Sequence, residues 1–121
     1  MTRTFALLLA VTLFALVAVA ADNPVVGKWD CKSTDDGGQQ IPWTLVVKED
    51  GGKLSGSLIS VTQPDAAVPL IEPKSDGVSF TFKVTIGDRS YSVETKINGK
   101  KLDGKYTGSQ TSGKFEGAKQ G

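Results

Sequence analysis

Residues 78 to 86 read Val-Ser-Phe-Thr-Phe-Lys-Val-Thr-Ile. Val78, Phe80, Phe82, Val84 and Ile86 alternate without a break with Ser79, Thr81, Lys83 and Thr85. A period of two in β-branched and aromatic residues predicts a strand with one dry face and one wet face. The same period can be followed in both directions. Val25 to Lys32 puts Gly27, Trp29 and Cys31 on one face. Ile41 to Lys48 does the same with Ile41, Trp43, Leu45 and Val47. Lys53 to Val61 carries Leu54, Gly56 and Leu58 in phase. Ile59 and Val61 then fall on the wet phase, and a bulge near Ser60 would restore the alternation. Downstream, Arg89 to Ile97 turns Tyr91, Val93, Thr95 and Ile97 inward, and Lys100 to Thr107 turns Leu102, Gly104 and Tyr106 inward. Gly113, Phe115 and Gly117 close the series.

Turn residues punctuate these runs. Asp35-Asp36-Gly37-Gly38, Asp50-Gly51-Gly52, Gly87-Asp88 and Asn98-Gly99 are loop or hairpin signals. The stretch from Gln63 to Gly77 is irregular. Pro64, Pro69 and Pro73 exclude a central strand there, yet Val68, Leu70 and Ile71 are too apolar for an ordinary loop. The segment is expected to form a short edge strand, the position in a sheet where prolines are tolerated; the alternative is a flap of Val68, Leu70 and Ile71 over an apolar site. No stretch after residue 22 has helical periodicity. About eight sequential strands with short turns predict an all-β antiparallel meander. Closing the first strand onto the last removes both raw edges, so the expected architecture is a small up-and-down β-barrel, with a two-sheet β-sandwich as the alternative.

The first 21 residues carry a different signal. Arg3 precedes an apolar run from Phe5 to Val19, and Ala18, Ala20 and Ala21 follow. This is the pattern of a cleaved secretory signal peptide, a helix preceding a single domain over residues 22–121. Cleavage after Ala20 or after Ala21 satisfies the small-residue rule, and a secreted or periplasmic protein results. The run is short for a membrane anchor.

Composition then narrows the chemistry. Without Arg3, the 14 Lys+Arg become 13, against 13 Asp+Glu. A neutral chain with no basic run lacks the footprint of a nucleic-acid binder. There is no histidine among 121 residues, which removes imidazole relays and the usual imidazole metal sites. Cys31 is the one cysteine; it cannot form an intrachain disulfide, and it is either a buried small hydrophobe, which its phase favours, or a free thiol that pairs between chains. Asp and Glu fall on outward phases or in turns, so no carboxylate pair is tuned for acid/base work. The Asp35-Asp36 pair lacks the ligand spacing of a calcium loop. No catalytic residue, metal or cofactor is expected.

Gly27-Lys28-Trp29 near the start of the domain, followed by a meander of about eight strands, resembles the lipocalin/calycin superfamily. Gly51-Gly52-Lys53-Leu54-x-Gly56, Leu102-x-Gly104 and Phe115-x-Gly117 are similar to motifs of small secreted bacterial β-barrel domains. The resemblance implies a barrel with Trp29 across its closed end.

An eight-stranded barrel is either filled by its own side chains or holds one small molecule. Every aromatic of the domain lies on the inward phase. Gly56, Gly104 and Gly117 also point inward, where they allow a sharp bend or leave room for a bulky neighbour such as Trp29. The candidate ligand-binding residues are Trp29, Trp43, Phe82, Tyr91 and Tyr106, with Val68, Leu70 and Ile71 as the flap. The expected function is a non-catalytic binding or structural module for a small apolar ligand. The alternative is a protein-interaction module such as a secreted protease inhibitor, using Asp22-Asn23-Pro24 as a tail.

Overall fold

The computed structural model describes residues 23–120. The expected leader, residues 1–21, lies outside the described residues. Nine strands follow in order: β1 (Gly27–Asp35), β2 (Gln40–Asp50), β3 (Lys53–Ser60), β4 (Gln63–Pro69), β5 (Ile71–Ser75), β6 (Ser79–Ile86), β7 (Arg89–Asn98), β8 (Lys101–Gly108) and β9 (Ser112–Lys119). They form one antiparallel sheet in the order β4-β3-β2-β1-β9-β8-β7-β6-β5, curled into a nearly closed barrel. A single sheet excludes the sandwich. There is no helix among the described residues.

The first and last strands join the sheet at its middle. Trp29 lies opposite Leu45 of β2 and Lys119 of β9, and Cys31 opposite Trp43 and Gly117. The tight hairpins follow turn chemistry. Gly51 and Gly52 both have positive φ, 63° and 86°, as a type I′ turn requires. Gly87 and Gly99 alone are positive in their turns, at 66° and 62°, the type II′ pattern of glycine at the first central position.

The proline-bearing stretch closes the barrel in an unexpected way. It is two strands, β4 and β5, which continue one another but pair with different neighbours. β4 pairs with β3 through Ser57↔Pro69 and Leu58↔Val68, and β5 pairs with β6 through Ile71↔Lys83 and Lys74↔Thr81. The chain crosses the seam at Leu70, whose N–H donates to the Gly56 carbonyl at 3.0 Å. Both halves are edges, so Pro64, Pro69 and Pro73 are tolerated. The crossing is strained: Glu72 has φ 50°, which for a non-glycine residue costs of order 1–2 kcal/mol. The Lys83 ammonium donates to its carboxylate at 3.4 Å.

Several local expectations are corrected here. Leu70 is buried in the core, so the crossing is a structural pin and not a flap; Ile71 faces outward, 41% exposed. Val78 precedes β6 and is 62% exposed, because the Asp76 carboxylate accepts the Val78 and Ser79 N–H groups and holds a turn there. Those bonds to the charged form hold its pKa below the usual carboxylate range. β3 keeps its phase to the end. Ser60 is inward and buried, Val61 is 55% exposed, and the irregularity between Leu58 and Ser60 is absorbed by extra residues on β4.

One end of the barrel is filled. Trp29, Phe80, Phe82, Leu45, Leu102 and Val47 are buried there, and Thr95 is accommodated by donating its hydroxyl to the Phe80 carbonyl at 2.8 Å. Val25 folds beneath, and the Trp29 indole N–H donates to its carbonyl at 2.9 Å. The Lys119 ammonium lies 5.6 Å from the centre of the Trp29 ring and donates to the Pro24 carbonyl. Gly27 is required at this closure: its φ is 138°, and a Cβ would stand 2.9 Å from Lys119 Cε.

Leu70→Ala should destabilise the domain by about 2–4 kcal/mol in chemical denaturation. Ile71→Ala, one residue away and half outside, should cost under about 1 kcal/mol. Equal losses would contradict the assignment of Leu70 as the pin.

Candidate functional site

At the opposite end the interior is not filled. The ends of β1, β3, β6 and β8 and the starts of β2, β7 and β9 surround a cavity of about 280 Å³ that opens to solvent. Its floor is the buried set Leu58, Val84, Val93 and Phe115. Its walls are Trp43, Tyr91, Tyr106, Ile41 and Ile86, and Ser33, Asp35, Gln39 and Thr111 form a polar rim.

The cavity exists because the two tyrosines lie back against the wall. Tyr91 of β7 is opposite Gly108 of β8, and Tyr106 of β8 is opposite Gly113 of β9. A Cβ at Gly108 would stand 2.7 Å from Tyr91 Cδ1, and one at Gly113 would stand 2.9 Å from Tyr106 Cε2. The Tyr91 ring therefore occupies the place of the side chain missing at Gly108, a ring-over-glycine packing; at Gly113 that place is taken first by the Thr34 carbonyl, with the Tyr106 ring beside it. The two rings meet edge to face, 6.1 Å between centres, a favourable geometry for their quadrupoles. The Trp43 indole is fixed by its N–H, which donates to Ser33 Oγ at 3.0 Å. Among the described residues neither tyrosine hydroxyl is bonded to a protein atom. Asp35 Oδ1 accepts the N–H groups of Gly37 and Gln39, both at 2.9 Å; among the described residues its other oxygen takes none.

The residues expected to bind a ligand thus separate. Trp43, Tyr91 and Tyr106 line the cavity. Trp29 and Phe82 lie in the core below, Phe82 stacking edge-on to Phe115 with centres 6.1 Å apart. Val68, Leu70 and Ile71 belong to the seam. The rim residues Asp35, Gln39 and Thr111 escaped sequence reasoning because they sit in or beside turns, where polar residues are ordinarily solvated. Gly56, Gly104 and Gly117 do not make room for Trp29; a Cβ there would meet the Val46 carbonyl, the Glu94 carbonyl and Cys31 Sγ.

A second groove, of about 920 Å³, follows the seam at the filled end between the start of β3 and β5. Asp50, Lys53, Glu72 and Lys74 line it, and no aromatic does. Convergent apolar and aromatic walls with a few polar groups make the mouth cavity the stronger candidate.

The architecture defines a class, the nearly closed antiparallel β-barrels, and is compatible with a calycin-like fold. No family model matches the chain, and no curated protein matches it in sequence.

Cys31 lies opposite Trp43 but does not itself line the cavity. Burial, with a smaller contribution from the Asp30 carboxylate, pushes its thiol from 9.0 up to about 12. The unfolded chain loses this proton first, so stability should fall as pH rises from about 9 toward about 12, and Cys31→Ala should flatten that slope. Native protein at pH 8 should resist iodoacetamide that labels it in guanidinium; rapid native labelling would overturn the buried assignment.

Proposed function

We propose that this protein is a non-catalytic binding module of calycin type, holding one small, mainly apolar molecule in the mouth of its barrel. The observation that carries the reading is the 280 Å³ cavity, kept open by paired glycines behind Tyr91 and Tyr106. At about 30 Å³ per water, the volume suits roughly nine water-sized groups, a single ring with a short polar arm rather than a fatty acid. The Tyr91 and Tyr106 hydroxyls supply hydrogen bonds to that arm. Gly27-x-Trp29 at a sealed end supports the likeness to calycins. The interaction reading gains nothing comparable. Its tail would include Asn23 and Pro24, but Asn23 caps Val25 and Val26, and Pro24 accepts from Lys119.

Isothermal titration with 2-phenylethanol tests the reading. A Kd at or below about 1 mM is expected, with no heat from a long-chain fatty acid. Gly108→Ala should weaken binding by at least about threefold by pushing the Tyr91 ring into the cavity. Absence of binding up to about 10 mM would contradict the proposal.

The reading also places the protein outside the cytoplasm, on the apolar run from Phe5 to Val19 and the alanines after it. Protein recovered from the periplasm or medium of an expressing bacterium should have the intact mass of a chain beginning at Ala21 or Asp22. Retention of Met1 in the cytoplasmic fraction would count against export.

A further inference from the structure

We propose that the mouth cavity selects organic cations: small amines with an aromatic or otherwise apolar body. The inference rests on the cavity being a ligand site, and adds the charge of what it takes. Three observations carry it. Among the described residues Asp35 is the one acid on the cavity lining, and no lysine or arginine lines it. Its Oδ1 is held by two backbone N–H groups, which fixes the carboxylate at the rim and leaves the other oxygen without a protein donor among the described residues. The walls are the π systems of Trp43, Tyr91 and Tyr106, whose faces attract a cation where water is partly excluded.

The charge distribution along the barrel points the same way. The turns and adjoining strand ends at the mouth carry Asp35, Asp36 and Asp88 against Arg89. The filled end carries Lys28, Lys53, Lys74, Lys100, Lys101 and Lys119 against Glu49, Asp50 and Asp76. A chain that is nearly neutral as a whole is therefore polarised, negative at the opening. A field of that sign raises the local concentration of a cationic ligand and lowers that of an anion. A carboxylate of the same shape would enter against the field and meet no counter-charge on the lining.

Three probes of matched shape test this: phenethylamine, 2-phenylethanol and phenylacetate, each titrated calorimetrically into the intact domain at low salt. The amine should bind about tenfold or more tightly than the alcohol, and phenylacetate more weakly than both. In Asp35→Asn, which keeps the acceptor for Gly37 and Gln39, the amine-to-alcohol ratio should fall to about threefold or less. Raising the salt to about 0.5 M should reduce the same ratio in the unsubstituted protein, a readout that does not depend on the variant folding. If the alcohol binds and the amine is not preferred, the cation assignment is overturned while the cavity reading stands. If the ratio survives Asp35→Asn in a folded variant, the assignment to Asp35 is overturned. If neither alcohol nor amine binds, the cavity reading falls and takes this one with it.

Discussion

The pairing of β1 with β9 is the constraint on which the rest of this molecule depends. Every other pairing joins strands that are neighbours in sequence. This one brings residues 29–35 against residues 113–119, and it turns a linear meander into an enclosure. Only then do Trp29, Leu102 and Phe115 share an interior. The loop-closure cost of such a pairing is entropic and grows with the length of chain between the paired strands. The remaining gap lies elsewhere, between β4 and β5, and is bridged covalently at Leu70. A single kinked segment serves one neighbour with its upper half and another with its lower half. The strain at Glu72 and the three prolines are the consequences, tolerable because each half has one paired side.

Inside the enclosure, size complementarity decides what is solid and what is hollow. At the sealed end, large residues fill the axis: Phe80 and Phe82, neighbours on the inner face of β6, are 5.3 Å apart between ring centres, Phe82 meets Phe115 of β9 edge-on, and Trp29 closes the base. At the mouth, large residues face glycines across neighbouring strands instead. Tyr91 rests on Gly108 and Tyr106 on Gly113, so the bulk goes into the wall and the axis stays free. The same residue types thus produce a core at one end and a cavity at the other. The difference lies in register, which sets which glycine stands beside which ring.

This explains what could be read in the residues and what could not. Alternation is a local property, so the inward phases of β2, β6 and β7 were legible directly, as was the closed meander. The inward placement of all seven aromatics followed from the same phase. The split of β4 and β5 was not legible, because its cause is a choice of partner, and proline reports only that a strand is an edge. Val78 was misplaced because its apolar side chain fits the alternation, while the nearby Asp76 carboxylate draws the backbone into a turn. Trp29 and Phe82 could not be separated from Trp43, Tyr91 and Tyr106 by phase; what separates them is height along the barrel axis, which depends on register. Asp35 escaped for the related reason that a turn residue belongs to the mouth only once the turns are known to gather there.

The two tryptophans report on the two ends independently, Trp29 sealed in the base and Trp43 at the mouth. The most direct test is a titration of 15N-labelled protein with 2-phenylethanol, following the two indole N–H resonances. The Trp43 resonance should shift in proportion to occupancy while that of Trp29 stays in place. A shift at Trp29, or none at Trp43 under saturating ligand, would contradict a barrel that is filled at one end and receptive at the other.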